Sequence, residues 1–126
     1  IMRYAHVLLM IAEAENEVNG PTEKALKAIN AVRTRSHQPA IDGTGLTQAE
    51  LRERIRNEWR VETCFEGLRY FQLKRWKLLQ QTVDGAVDPA YPAYKKVVTS
   101  AFEFFPLPQG EIDKAHGVLE QDTNYQ

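Results

Sequence analysis

Apolar residues recur at helical spacing from the start of the chain. Tyr4, Val7, Leu8, Ile11 and Val18 form one stripe, and Ala5, Leu9 and Ala12 broaden it. The pattern predicts a first helix from about Arg3 to Asn19. It is apolar almost all round near its start and should be buried on more than one side. Gly20 supplies a left-handed cap and Pro21 prevents continuation. A second helix is predicted from about Thr22 to Arg35, with Ala25, Ala28 and Ala31 permitting close approach and Ile29 and Val32 supplying larger contacts. The short connection makes the two an antiparallel hairpin.

The next stretch, His37 to Leu46, contains Pro39, Gly43 and Gly45 and reads as a loop. Thr47-Gln48-Ala49-Glu50 is a capping box, in which threonine and glutamate each satisfy a free N–H at a helix start. A long helical segment is expected from there to about Gln80, broken or bent at Gly67. Residues from Thr82 to Ser100 are rich in Gly, Pro, Asp and Tyr and predict irregular structure. Phe102 to Pro108 should be extended, because each proline disfavours helix at the residue before it. Gln109 to Ala115 predicts one short helix, and Gln121 to Gln126 a polar coil.

Within the long segment the polar positions are as ordered as the apolar ones. Glu58, Glu62 and Glu66 recur every four residues and share a helix face. Val61, Phe65 and Leu68 form an apolar stripe beside them. Arg33 and Arg35 end the second helix without an acidic residue three or four positions earlier. At least one of them is therefore expected to meet the glutamate stripe in a partly buried ion pair. The same glutamates could form half of a carboxylate metal site. Helix-bundle sites of that kind pair a glutamate with a histidine three residues on, and no such pair occurs here. The arginines Arg52, Arg54, Arg56 and Arg60 could bind phosphates, but glutamates interleave them. His6, His37 and His116 show no nucleophile or metal-ligand spacing. Cys64 sits among apolar neighbours and is expected to be a buried, inert thiol. Trp59 and Trp76 are expected in the core. Tyr91 and Tyr94 fall in the loop-like region, where they could stack on sugar rings. No catalytic, cofactor-binding or metal-binding residue is assigned, and no ligand-binding residue is identified.

Composition narrows the classes further. The 126 residues are 43% hydrophobic and 26% charged, with a formal net charge of −1. That apolar content suits one compact globular domain and is too high for disorder. The near-zero charge creates no global attraction for nucleic acid or an anionic membrane. No apolar run approaches the length of a bilayer-spanning helix. Helix begins at once, without a capping residue or polar lead-in, and Ile1 precedes Met2. These features lead us to expect a piece of a longer protein. An apolar first helix would then be covered by the rest of its parent chain, or drive self-association of the isolated piece.

Four blocks of the sequence carry a family resemblance. They are Arg3 to Glu17; Ala28-Ile29-Asn30-Ala31-Val32-Arg33-Thr34-Arg35; Glu58 to Trp76, with Phe65-Glu66-Gly67-Leu68-Arg69 and Leu73-Lys74-Arg75-Trp76; and Phe105-Pro106-Leu107-Pro108-Gln109-Gly110-Glu111-Ile112, followed by Gln121 to Tyr125. In order and spacing they resemble the C-terminal part of the SusD/RagB family of outer-membrane nutrient-binding lipoproteins. Gln72 stands where the family usually has aspartate, Asn57 to Arg60 replace a more usual Glu-Arg-Arg run, and Asp122-Thr123-Asn124 replace Asn-Pro-Gly. The resemblance implies a mainly α fold with a tetratricopeptide-like helix hairpin, a long helix and an irregular C-terminal region, spanning 1–126. It implies a lipid-anchored cell-surface protein of the outer membrane, capturing glycans or peptides for a SusC-like TonB-dependent transporter. Such a protein is not an enzyme and uses no cofactor. The ligand platform would lie mainly upstream, leaving this stretch as scaffold and transporter-facing surface. The alternative is a generic helical-repeat protein-interaction module.

Overall fold

A computed structural model describes residues 2–125, apart from the side chains of Ser100, Glu103 and Asn124. Ile1, and Gln126 at the end of the expected polar coil, lie outside the described residues. The fold is mainly α. The chain divides into two compact units, Ile1–Gly67 and Leu68–Gln126, where composition alone suggests one. The apolar residues after Leu68 gather around a small cluster of their own, Leu73, Leu79 and Val98.

The first unit contains α1 (Tyr4–Asn19), α2 (Glu23–Arg35) and α3 (Gln48–Glu62). α1 is central and packs against both other helices. The turn between α1 and α2 forms as its residues require. Gly20 adopts φ 80° and its N–H donates to Asn16 O. The Thr22 hydroxyl accepts from the Ala25 N–H at 3.3 Å. At the start of α3, Thr47 Oγ1 accepts from Glu50 N–H, and Glu50 Oε2 accepts from Thr47 N–H at 2.8 Å. The core comprises Leu9, Ala12, Ala25, Ile29, Val32, Leu51 and Ile55. Fully burying each larger aliphatic side chain there contributes about 1.5–3 kcal/mol.

The seam that α1 presents to this core differs from the expected one. Ala5, Leu9, Ala12 and Asn16 are buried, one helical turn apart. Tyr4, Ile11 and Val18 are exposed and Leu8 is half-buried. Small residues let α2 approach along the Ala5–Ala12 line, so the bulkier stripe is left on the outside. The first helix is thus not covered all round by the other helices of its own unit.

Two amide side chains tie the loops down. Asn30 Nδ2 donates to Ile41 O at 3.0 Å, and the Ile41 N–H donates to Asn30 Oδ1 at 2.7 Å. That two-way clamp fixes the loop after α2 and seats Ile41 in the interior. Asn16, fully buried, donates to Gln48 O, while Gln48 Nε2 donates to Asn16 O at 2.6 Å. This joins the end of α1 to the start of α3.

The expected long helix is interrupted. α3 ends at Glu62, and tight turns follow to Gly67, where φ is 73°. The break begins four residues before the glycine that signals it, with Phe65 also at a positive φ of 63°. The second unit then holds α4 (Arg69–Arg75), α5 (Leu79–Val83), a small antiparallel hairpin of β1 (Val87–Asp88) and β2 (Tyr91–Lys95), and α6 (Gln109–Lys114). The hairpin occupies part of the stretch expected to be irregular. A 3-10 turn at Ser100–Glu103 takes the start of the expected extended segment, and Phe104 resumes extended backbone. Gln121 holds that segment by a second two-way clamp, accepting from Leu107 N–H at 3.0 Å and donating to Leu107 O at 2.9 Å. The Tyr125 hydroxyl lies 2.6 Å from Ala101 O and 2.7 Å from Phe104 O.

Candidate functional site

The densest polar constellation is a cleft of about 420 Å³ in the first unit. It is lined by three arginines, Arg3, Arg33 and Arg35, and three glutamates, Glu58, Glu62 and Glu66. Each glutamate arrives from α3 or the turn after it. Arg3 precedes α1, and Arg33 and Arg35 close α2. The glutamate stripe therefore reads out the termini of both other helices.

Glu58 lies in the buried seam of α3, 5% exposed. A carboxylate there requires a partner, and Arg33 NH1 donates to Glu58 Oε2 at 2.7 Å. Arg33 Nε also donates to Pro39 O at 2.9 Å, which orients the guanidinium. Glu62 is held from two sides. Arg35 NH2 lies 2.6 Å from Glu62 Oε2, and Arg3 NH1 lies 2.7 Å from Glu62 Oε1. Arg3 NH2 reaches further, to Glu62 O at 2.9 Å and to the Glu66 carboxylate. Both Arg33 and Arg35 thus meet the stripe, as their positions in the sequence predict.

His6 completes the network. Its Nδ1 accepts from the Arg3 N–H at 3.3 Å, so in the neutral ring Nε2 carries the proton and donates to Glu66 Oε2 at 3.0 Å. The ring is buried and lies 5.8 Å from that of Trp59. Trp59, also buried, donates its indole N–H to Glu13 at 3.1 Å.

The electrostatics follow from these contacts. Burial alone would push the Glu62 carboxyl up, but hydrogen bonds from Arg3 and Arg35 outweigh it and hold it below the ordinary glutamate range. The Arg3 hydrogen bond lowers Glu66 in the same way, with His6 adding to it. Glu62 and Glu66 in turn raise Arg3. Carboxylates held in this manner are poor bases. The arrangement clamps three helices and the 63–67 turn together. Among the described residues, no group of three His, Cys, Asp or Glu side chains is placed to hold a metal ion.

The other candidates are scattered. Arg52 pairs with Glu17 through Nε and NH2, each at 2.6 Å. Arg56 pairs with Glu53, and Arg60 donates to Asn57. Arg54 borders a different small cleft with Arg33 and Ile41. The arginine run is thus divided among local partners rather than gathered into one basic face. Cys64 is exposed, contrary to expectation. The helix ends at Glu62, so Cys64 falls in a surface turn, and Val61 and Phe65 are likewise exposed instead of forming an apolar stripe. Trp76 is only partly buried, with the Arg75 and Arg69 guanidinium groups 5.3 and 5.8 Å from its ring. His37 and His116 are exposed. Tyr91 and Tyr94 are exposed on β2, edge to face with centroids 6.5 Å apart. Sequence reasoning did not assign Arg3 to the network, and it weighed His6 only as a nucleophile or metal ligand, not as a partner of Glu66. Their only sequence signal is a charged residue and an imidazole three apart at the head of an apolar helix.

The residues 1–125 match the SusD family. SusD-like protein P25 of Formosa agariphila is 41% identical over 125 residues, covering 98% of this chain and 23% of that protein. A SusD-like protein from Bacteroides fragilis superposes with a TM-score of 0.83 at 31% identity, over 98% of this chain and 25% of the other. Surface glycan-binding protein A from Bacteroides thetaiotaomicron, solved in complex with laminarihexaose, gives a TM-score of 0.74 at 30% identity, over 96% of this chain and 24% of the other. The chain belongs to the SusD family. It spans about a quarter of the length of these three relatives.

Proposed function

We propose that these residues form the C-terminal helical scaffold of a longer nutrient-binding protein, one that captures glycan or peptide and performs no catalysis. The observation that carries this is the match over 98% of the chain to a solved SusD-like protein. The laminarihexaose complex of a second relative supports an oligosaccharide as the ligand class. The cleft favours the scaffold role, since its six charged side chains are engaged with one another and with helix termini. In this reading the ligand is held mainly by the part of the parent protein outside these residues. That parent is a lipid-anchored cell-surface protein of the outer membrane, and its partner is a SusC-like TonB-dependent transporter. The isolated 126 residues self-associate through the uncovered side of α1. The reading is tested by calorimetric titration of laminarihexaose and a wider glycan and peptide panel into the full-length product of the coding sequence and into the 126-residue chain. Saturable binding to the full-length protein alone is the expected result.

A further inference from the structure

Arg3 does more at Glu62 than neutralise its side chain. Its NH2 donates at 2.9 Å to the Glu62 backbone carbonyl, while NH1 holds Glu62 Oε1 at 2.7 Å. In a continuous α-helix that carbonyl accepts from the N–H four residues on, which is Glu66. Here the Glu66 N–H donates instead to Thr63 O at 3.1 Å. The Glu66 side chain is drawn to Arg3 and His6. A guanidinium from the head of α1 thus occupies the place in the α3 ladder that a further turn of helix needs.

The turn formed in this way is strained. Phe65 holds φ at 63°, in the left-handed region that bulky residues rarely enter. Its ring is fully exposed, so burial of the ring does not offset that cost. The residues themselves suit the other conformation. No glycine or proline stands between Thr63 and Glu66. In an uninterrupted helix Val61 and Phe65, four apart, share one face, as the apolar periodicity predicts, and Glu66 follows Glu62 on another. The Thr63 hydroxyl donates to Trp59 O at 2.6 Å, a bond back by one helical turn that both conformations keep.

We infer that residues 63–67 are a two-state element set by Arg3. Gripped by Arg3, α3 stops at Glu62 and presents Phe65 on the strained turn; released, α3 runs on through Glu66 and relieves the strain. The Arg3 contact with the Glu62 carbonyl and the strain at Phe65 oppose each other, which brings the two arrangements close in free energy. The setting decides what the surface displays. In the turn Phe65 stands out alone as an apolar knob, and in the helix it joins Val61 in a ridge. The head of α1 is thereby coupled to the surface at the end of α3, 59 positions further along the chain.

The test follows residues 61–68 by backbone NMR in the 126-residue chain, with circular dichroism to check the fold of each variant. In Arg3→Gln the shifts of 63–66 should move to helical values and Phe65 should leave the left-handed region. The Glu66 amide, now bonded to Glu62 O, should exchange about tenfold more slowly. Arg3→Lys keeps the charge but has no fork to hold the carbonyl and both carboxylates at once, so it should give part of the same change. Full retention of the turn in Arg3→Lys would show that charge alone suffices and overturn the carbonyl contact as the cause. Gly67→Ala strains the turn from its other end, where φ is 73° and the added methyl meets nothing within 4 Å. It should shift 63–66 toward helix with the clamp intact, and its result stands even if Arg3→Gln does not fold. Phe65→Gly removes the strain at an exposed position, so adding it to Arg3→Gln should restore the turn. An equal gain of helix with and without Phe65→Gly would overturn the strain argument. A turn that persists in either folded variant, Arg3→Gln or Gly67→Ala, or a segment that frays without helical shifts, would overturn the two-state reading.

Discussion

Arg33→Ala strikes the clamp at its most buried point. Glu58 is 5% exposed and the Arg33 side chain 22% exposed, with a 2.7 Å contact between them. Truncating the arginine leaves a carboxylate inside the α3 seam without its counter-charge, and frees Pro39 O. Breaking a buried pair costs about 3–5 kcal/mol, against under about 1 for an exposed pair. Arg33 keeps some contact with water, which places the expected loss at about 2–4 kcal/mol. For a unit of this size each kcal/mol shifts the melting temperature by about 4–8 °C, so the drop should be on the order of 10–20 °C. Arg35→Ala is the internal control. Its side chain is 57% exposed, and Glu62 keeps Arg3 when it is lost. The expected cost is about 1 kcal/mol or less. Urea and thermal unfolding followed by circular dichroism measure both. Adding Glu58→Gln to Arg33→Ala should recover part of the loss by removing the uncompensated charge. If Arg33→Ala costs under about 1 kcal/mol, or no more than Arg35→Ala, the buried-pair reasoning is wrong.

Three further outcomes are expected. The folded-state values of Glu62 and Glu66 are lowered, so the unfolded chain binds more protons in acid. Their contribution is present above the ordinary glutamate value of 4.5 and is lost as pH falls through the lowered values. Denaturant midpoints measured from pH 6 downward should therefore fall below about pH 4.5, and Glu62→Gln/Glu66→Gln should flatten the fall. Asn30→Ala removes both halves of the clamp on Ile41 and strands a buried backbone pair, at about 1–3 kcal/mol. Hydrogen exchange should show the Ile41 amide losing protection before the α1 and α2 amides do. Cys64 is exposed and should react with a thiol reagent in the native state as fast as in denaturant. Protection by folding would place it back in the interior.

Much of the helical frame was legible because it is specified locally. Gly20-Pro21, the Thr22 cap and the Thr47–Glu50 box are short-range signals, and the structure forms each where the residues stand. The pairing of Arg33 and Arg35 with the glutamate stripe was legible too, because unpartnered cations at a helix end leave few choices. The buried seam of α1 was not. Hydrophobic periodicity ranks Tyr4, Ile11 and Val18 above Ala5 and Ala12, whereas close helix packing favours small residues, and that preference depends on what lies opposite. The end of α3 escaped for a related reason. Thr63, Cys64 and Phe65 carry no breaker signal, and the turn is set by Gly67 at φ 73° and by Arg3 and His6 gripping Glu62 and Glu66. Arg3 and His6 act across about sixty positions of sequence. No local pattern announces such contacts.

The scaffold role is tested most directly by comparing ligand capture with and without the remainder of the parent protein. Calorimetric titration of the same glycan and peptide panel, laminarihexaose included, should show saturable binding to the full-length protein and none to the 126-residue chain up to millimolar ligand. Millimolar or tighter binding by the 126-residue chain alone would contradict the account and place the ligand site within these helices.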